Sequence, residues 1–289
     1  MPFSPRYAFV LIFAFSFSLL ASTSLFPQSL LPESSVTVSL SNANIALPSG
    51  AFALNPSQTR ADSLHQLHAS LNYTPFVGGL KDASQSSAEG IYYSSFINSS
   101  LAIGVTNLAY NTIYSDLSIY ASLARSFELS NNRNASAGIR LRYESIGTTP
   151  DYPKLHFLYA DIGFTLDLTP EFTLGGAALN LLGTKYQITN GDMEKLNRRF
   201  LFGIAYQPAE IPIKLLTSLD EDPNQPLAFN FGAEYDPVTF LALRFGISTD
   251  TGNITTGIGI RYGNISFDVG SRFDKALGSI FTFGASGAW

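Results

Sequence analysis

Most of this chain alternates between apolar and polar side chains with a period of two residues, the spacing of a β-strand. In residues 227–236, Leu, Phe, Phe, Ala and Tyr share one face, and Ala, Asn, Gly, Glu and Asp share the other. The pattern returns in about fourteen segments from residue 67 onward, an even number as in single-chain bacterial barrels. Charged residues stay on one face in strand after strand, which a soluble sandwich would not require. We therefore predict an all-β fold, a transmembrane antiparallel β-barrel of about 14 strands with an N-terminal hatch or plug segment.

The final segment, residues 277–289, places Phe281, Phe283 and Trp289 on one face and Thr282 on the other. Aromatic residues at a strand end are typical of the membrane interface of a barrel. We predict that this segment is the last strand, that it pairs with the first strand near residues 67–73, and that its aromatic residues form the C-terminal assembly signal for the barrel-assembly machinery.

Composition supports a membrane barrel and excludes several other classes of protein. Charged residues make up 13% of the chain, against about 25% in ordinary soluble domains, and Tyr and Phe are abundant. Cysteine is absent, which excludes disulfides and thiolate metal sites. No basic cluster suggests nucleic acid as a partner. No metal-ligand cluster, phosphate loop or catalytic constellation is recognisable, so we predict no cofactor, no metal and no enzymatic activity.

The N-terminus predicts export. Arg6 precedes an apolar run over residues 8–20, and small residues follow at 21–24, as in a secretory signal peptide over residues 1–24. The run is too short for the roughly 20 residues that a spanning helix needs. We assign residues 25–62 to an N-terminal segment, either a periplasmic arm or a hatch within the lumen, and residues 63–289 to the outer-membrane β-barrel.

Loop lengths predict the orientation of the barrel. Long and short connections largely alternate, with long connections at 75–88, 145–154 and 183–197 and tight ones near 169–170 and 263–264. Periplasmic turns are short and external loops are longer in such barrels. We therefore expect an outer-membrane protein of a Gram-negative-type bacterium with both termini in the periplasm.

A group of charged residues falls on the inward face of the predicted strands. Neighbouring strands tend to carry opposite signs, and such cross-strand pairs are stabilising. The group could be a structural network that fills a narrow lumen and docks the hatch, or the lining of a selective channel. Its members are Arg140, Arg142, Glu144, Asp161, Asp167, Glu234, Asp236, Arg244, Arg261, Asp268, Arg272 and Asp274. The acidic run at 220–222 lacks calcium-loop spacing, and we interpret it as a solvated external turn.

Several segments resemble the PorV/PorQ family of outer-membrane proteins, within the wider FadL-like barrels. Residues 51–56 (AFALNP) are similar to the family's small-residue segment that ends in Asn-Pro, here Asn55 and Pro56. Residues 71–77 (LNYTPFV) are similar to its first strand, and residues 160–164 (ADIGF) and 180–183 (NLLG) to later strands. The acidic pair that often precedes Asn-Pro in the family is replaced here by Pro48 and Ser49.

The resemblance implies a fourteen-stranded barrel with an N-terminal hatch that includes Asn55 and Pro56. For PorV/PorQ-like members it implies a non-catalytic accessory role in type IX protein secretion. Such a protein would bind or shuttle exported cargo by recognising the C-terminal domain of the cargo. Translocon components and outer-membrane lipid would be further partners. The alternative is a FadL-like transporter of hydrophobic small molecules across the outer membrane.

Overall fold

The computed structural model describes residues 34–47, 54–59, 67–77, 82–111, 114–129, 133–147, 154–182, 185–187, 193–195, 198–223, 226–249, 252–274 and 278–289. Fourteen antiparallel strands form a closed barrel, which confirms the predicted fold class. Each barrel strand pairs with the next barrel strand along the chain, and the last one pairs with the first. The barrel strands are β1 (Leu67–Pro75), β2 (Ala83–Ser94), β3 (Ser99–Tyr110), β4 (Tyr114–Leu129), β5 (Arg133–Gly147), β6 (Leu155–Asp167), β7 (Phe172–Leu179), β10 (Arg199–Tyr206), β11 (Ile213–Glu221), β12 (Ala228–Val238), β13 (Leu241–Ser248), β14 (Ile254–Tyr262), β15 (Ile265–Asp274) and β16 (Gly278–Ala288).

Two details of the strand prediction were wrong. Strand β2 begins at Ala83, so the first connection covers only residues 76–82. The first half of β2 is rich in serine and shows no apolar face, but its backbone still pairs with β3. The long connection after β7 contains a separate two-stranded sheet, β8 (Lys185–Gln187) and β9 (Met193–Lys195), which was predicted as loop. Segments of three residues are too short for periodicity to reveal them.

The last strand closes the barrel on the first, as predicted. The register runs from His68 opposite Ala288 to Tyr73 opposite Phe283. Beyond it, the backbone N–H groups of Leu67 and Trp289 each donate to the other residue's carbonyl oxygen, at 2.9 and 2.8 Å. Closure leaves no strand edge unpaired, which a membrane-spanning sheet requires because lipid offers no hydrogen-bonding partner.

The two ends of the barrel differ in the length of their connections. We call the end that holds residues 67 and 289 the terminal end. Connections there cover residues 95–98, 130–132, 168–171, 207–212, 239–240 and 263–264, whereas the longest ones at the opposite end cover 76–82, 148–154 and 180–198. The alternation of long and short connections agrees with the sequence pattern.

The outer face is apolar and the inner face is polar. Ile139, Leu141, Phe229 and Phe267 are among many outward side chains that are more than 40% exposed, while inward Ser, Thr, Asn and charged residues are buried. A band of exposed apolar side chains around a closed sheet is the surface that lipid requires. No helix among the described residues is long and apolar enough to cross a membrane.

The described N-terminal residues form a short helix, α1 (Ser35–Ser39), and two 3₁₀ turns, Asn44–Ala46 and Pro56–Gln58. We call residues 34–47 and 54–59 the hatch. The hatch contacts the inner faces of strands β4–β7, β10, β11 and β13–β16 and is almost wholly buried. Of the two alternatives left open by the sequence, these residues adopt the plug. Residues 1–24 and the boundary at 62 lie outside the described residues, so the signal peptide and the domain limits stay predictions.

Candidate functional site

The candidate site is the lumen, where the hatch meets the inward faces of the strands. Helix α1 begins with Ser34, whose hydroxyl oxygen accepts a 3.1 Å hydrogen bond from the backbone N–H of Thr37, a standard N-cap. The backbone N–H of Ser35 donates to Asn72 Oδ1 on β1 at 3.1 Å. Thr255 on β14 donates to the carbonyl oxygen of Ser39 at 3.0 Å. These bonds fix the helix against the seam side of the barrel.

Glycine lines the wall wherever the hatch backbone approaches it. A methyl group placed on any of these glycines would press against hatch atoms. The hatch can therefore approach the wall this closely only because the positions beneath it carry no side chain. Several lie opposite each other in the register, including Gly138 with Gly163 and Gly257 with Gly270. We call this set the glycine belt: Gly138, Gly163, Gly175, Gly203, Gly232, Gly246, Gly257, Gly270 and Gly284. Strand β11 presents Ser218 instead, whose hydroxyl donates to the carbonyl of Asn42 at 3.1 Å.

Asn55 is the best-anchored residue of the hatch and is fully buried. Its side-chain nitrogen donates to the carbonyl oxygens of Ile45, at 3.0 Å, and of Phe164 on β6, at 2.8 Å. Its side-chain oxygen accepts from the backbone N–H of Ser57 at 3.1 Å and caps the second 3₁₀ turn, with Pro56 in its first position. The amide thus joins two parts of the hatch to the wall, which gives the Asn-Pro pair a structural role.

Apolar contacts complete the seat of the hatch on one side. Ile45 and Leu54 pack against inward residues of β7 and β10, and Leu40 with Ala43 packs against β10 and β11. This sector of the wall is apolar on its inner face, with buried Leu179, Leu201, Leu216 and their neighbours. Alternation alone missed it, because these three strands are apolar on both faces near their centres.

A salt-bridge network lies in the lumen at the terminal end. Arg244 on β13 bridges Glu234 on β12, at 2.5 Å, and Asp268 on β15, at 2.7 Å. Lys214 on β11 and the half-exposed Arg261 both bridge Glu234 and Asp236. Three cations therefore meet three carboxylates, which balances the charge of this buried group. We call it the charge network: Lys214, Glu234, Asp236, Arg244, Arg261 and Asp268.

On the opposite side of the lumen, strand side chains fill the space next to the second 3₁₀ turn of the hatch, which contacts β4, β5 and β6. The hydroxyl of Tyr120 on β4 donates to Glu89 on β2, and the guanidinium of Arg140 lies 4.8 Å from the Tyr120 ring centre. Arg142 lies 4.4 Å from the ring centre of Tyr159. We call these five residues the side-chain cluster.

The structure places the predicted inward charges in several groups. Glu234 and Arg244 pair across neighbouring strands, as the sequence suggested. Arg261 bridges Glu234 and Asp236 across two strands rather than Asp268. Arg142 donates to the side chain of Asn180 at 2.9 Å, and the backbone N–H of Asn180 donates to Asp161.

Four further predicted charges lie near strand ends. Asp167 accepts from Asn134 and Thr173 at the terminal end. Arg272 and Asp274 lie near the opposite end of β15, and Glu144 lies near that end of β5. The charges therefore do not form one continuous lining.

Sequence reasoning missed four features of the lumen. Lys214 was not among the candidates, although it shares an alternating face with Ser218 and Asp220. Asp220 is buried and ion-paired with Arg199, so our interpretation of 220–222 as a solvated turn was wrong for this residue. Glu89 and Tyr120 carried no signal, because their strands looked merely polar. The glycine belt was visible as recurring glycines on polar faces, but only contact with the hatch reveals its role.

The described residues contain no group of three or more His, Cys, Asp or Glu side chains able to hold a metal ion.

A closed fourteen-stranded barrel with an apolar outer wall and a plugged polar lumen is the fold that the FadL-like resemblance implies. Solved structures show which proteins share this fold. The chain superposes on the CymD monoaromatic hydrocarbon channel with a TM-score of 0.62 and 9% identity, covering 89% of this chain and 97% of that one. For the Pseudomonas putida toluene transporter TodX the TM-score is 0.56 and the identity 11%, over 89% of this chain and 97% of that one. For a Pseudomonas aeruginosa FadL homologue the TM-score is 0.57 and the identity 10%, over 88% of this chain and 98% of that one.

At these identities the likeness concerns the fold alone. No family model matches the chain, and no curated protein matches it. The FadL-like part of the resemblance is thus confirmed as a fold, while the PorV/PorQ part has no support from these comparisons.

Proposed function

We propose that this protein transports hydrophobic small molecules, of the size of monoaromatic hydrocarbons, across the outer membrane, with the hatch as the element that opens the path. The observation that carries the proposal is the way the hatch is held. Much of the hatch lies on a belt of glycines, and the side chains that join it to the wall, such as Asn55 and Thr255, do so through a few hydrogen bonds, so it can shift without breaking the ladder of the strands.

Two further observations support this proposal. Three structural neighbours carry names of hydrophobic-compound channels or of FadL, although the likeness is limited to the fold. The seat of the hatch on β7, β10 and β11 is apolar, so a displaced hatch would leave an apolar surface in the lumen that suits a hydrocarbon. The longer connections opposite the terminal end support an orientation with that end in the periplasm.

The hatch can be tested with a reversible lock. Ser41 on the hatch and Thr255 on β14 have hydroxyl oxygens 2.9 Å apart, and the natural chain has no cysteine. The double variant S41C/T255C therefore allows one defined disulfide between hatch and wall. The matched control is T74C/T282C, which joins β1 to β16 across an equivalent 2.8 Å hydroxyl contact and leaves the hatch free.

Uptake of labelled toluene into proteoliposomes is the measurement. We expect wild-type protein and the oxidised control to be equally active, and the oxidised lock to fall to the level of empty liposomes until a reductant is added. Equal uptake by the oxidised and reduced lock would exclude the hatch from the path. No uptake by wild type would contradict transport itself.

The secretion role remains the second candidate. If transport fails, a pull-down from envelope extracts that recovers exported proteins with a shared C-terminal domain would favour the PorV/PorQ-like accessory role.

A further inference from the structure

One charged side chain faces outward within the lipid-facing part of the barrel. Outward positions alternate along β4 through Ile119, Leu123, Arg125 and Phe127, and Arg125 is exposed. In the described barrel strands it is the one Lys, Arg, Asp or Glu on the outer face that is not the first or last residue of its strand. A lipid-facing arginine costs roughly 2 to 4 kcal/mol at the midplane and about 0 to 1 near the interfaces.

The height of Arg125 places it near the terminal end. Its neighbour Ala124 pairs with Ser100, the second residue of β3, so Arg125 lies level with the turn at 95–98. Its guanidinium lies 5.5 Å from the ring centre of Phe127, which continues the strand toward the rim. Because aromatic residues such as Phe127 mark the membrane interface of a barrel, we expect Arg125 to lie at the level of the headgroup phosphates.

An apolar groove leads from Arg125 along the outer wall toward the middle of the barrel. Its volume is about 560 Å³, and its floor is formed by the small residues Ala137, Gly176 and Ala178. The rings of Phe164 and Phe202 stand on either side of Gly176. The register links these positions, since Arg125 pairs with Ala137, Ala137 with Phe164, and Gly176 with both Phe164 and Phe202.

We propose that Arg125 and this groove form a binding site for a glycerophospholipid of the inner leaflet, with the phosphate on the guanidinium and one acyl chain in the groove. The charge is complementary, because a guanidinium holds a phosphate with paired hydrogen bonds. The groove is complementary to a flexible chain, because it is apolar and bounded by large side chains. The choice of leaflet rests on the predicted orientation. The site is independent of solute transport through the lumen.

Native mass spectrometry of the detergent-purified protein, titrated with phosphatidylglycerol, tests the site. R125Q removes the charge with little change in length, and A137L fills the groove beside it. The first matched control is R133Q, which removes an outward arginine at the start of β5 that does not line the groove. The second is A233L, which adds the same side chain to the outer face of β12. Heat-modifiable gel migration verifies that each variant folds.

We expect roughly tenfold weaker binding for R125Q and for A137L, partial retention for R125K, and wild-type binding for both controls. Unchanged binding in R125Q would overturn the role of the arginine, and unchanged binding in A137L would overturn the groove. A bound mass that corresponds to lipid A instead of phospholipid would contradict the assignment to the inner leaflet. Wild-type protein that binds phosphatidylglycerol but takes up no toluene would contradict the proposed transport and support the lipid site.

Discussion

Two sectors of the same lumen are filled in opposite ways. On β12–β16 each strand presents a glycine at the level of helix α1, and the hatch lies on these glycines, with the charge network beside it nearer the terminal end. On β2–β4 the wall supplies the filling itself, through Glu89 and Tyr120 with Arg140 of β5 beside them, and the hatch reaches β5 and β6 only through Asn55 and its second 3₁₀ turn. A filling that belongs to the strands moves only with the barrel, whereas a filling that belongs to a separate segment can leave. The comparison predicts that stability depends more on strand side chains and that permeability depends more on the hatch.

The largest loss of stability is expected from the wall. In the charge network, R244A would leave Glu234 and Asp268 without their shared partner in a buried setting, a loss of about 3 to 5 kcal/mol. R261A is the matched change at the half-exposed edge of the network and should cost about 0 to 1 kcal/mol. Urea unfolding of the barrel in detergent measures both values. Equal losses would mean that Arg244 is not the centre of the network.

The glycine belt is expected to give the largest change in permeability. G257L would place a side chain where Ser39 of the hatch lies, and overpacking of this kind costs about 1 to 3 kcal/mol. The displaced hatch should raise single-channel conductance in planar bilayers, because a fourteen-stranded barrel is wider than the eight-stranded barrels whose interiors are filled by strand side chains alone. G90L is the control, since Gly90 faces outward into open space. Conductance that stays at the wild-type level in G257L would show that the hatch does not block the lumen.

The sequence predicted the wall far better than its filling. Alternation located a segment for each of the fourteen barrel strands and the closing pair, because most strands show two distinct faces within a dozen residues; the serine-rich start of β2 was the exception that it missed. Alternation suggested the pair of Glu234 and Arg244, but not the bond from Arg244 to Asp268, 24 positions away, nor that from Asn55 to Phe164, 109 positions away. Tyr120 and Glu89 lie two strands apart, on β4 and β2, so no pairing of neighbouring strands marked them as a pair. Gly257 looked like any small inward residue until the hatch was placed against it.

The anchor of the hatch gives a smaller effect that sharpens the comparison. N55D keeps the shape and the cap of the 3₁₀ turn but removes the two hydrogen bonds donated to the carbonyls of Ile45 and Phe164, while Gln58 still donates to the carbonyl of Ile45. We expect the hatch to bind the wall about 1 to 2 kcal/mol less tightly, while the barrel unfolds at the same urea concentration. Amide hydrogen exchange of hatch residues measures the first quantity. Faster exchange throughout the strands as well would mean that hatch and wall are not separable.

The smallest effect is expected from the strand-borne filling itself. Y120F removes the hydroxyl that donates to Glu89 but keeps the ring under Arg140, so we expect a loss of about 1 kcal/mol in barrel stability. Conductance should not change, because the ring still occupies its sector and the hatch is untouched. Y159F tests the neighbouring ring, which Arg142 covers in the same way. If Y120F raised conductance as much as G257L, the two sectors would be equivalent barriers, and the distinction between fixed and movable filling would be lost.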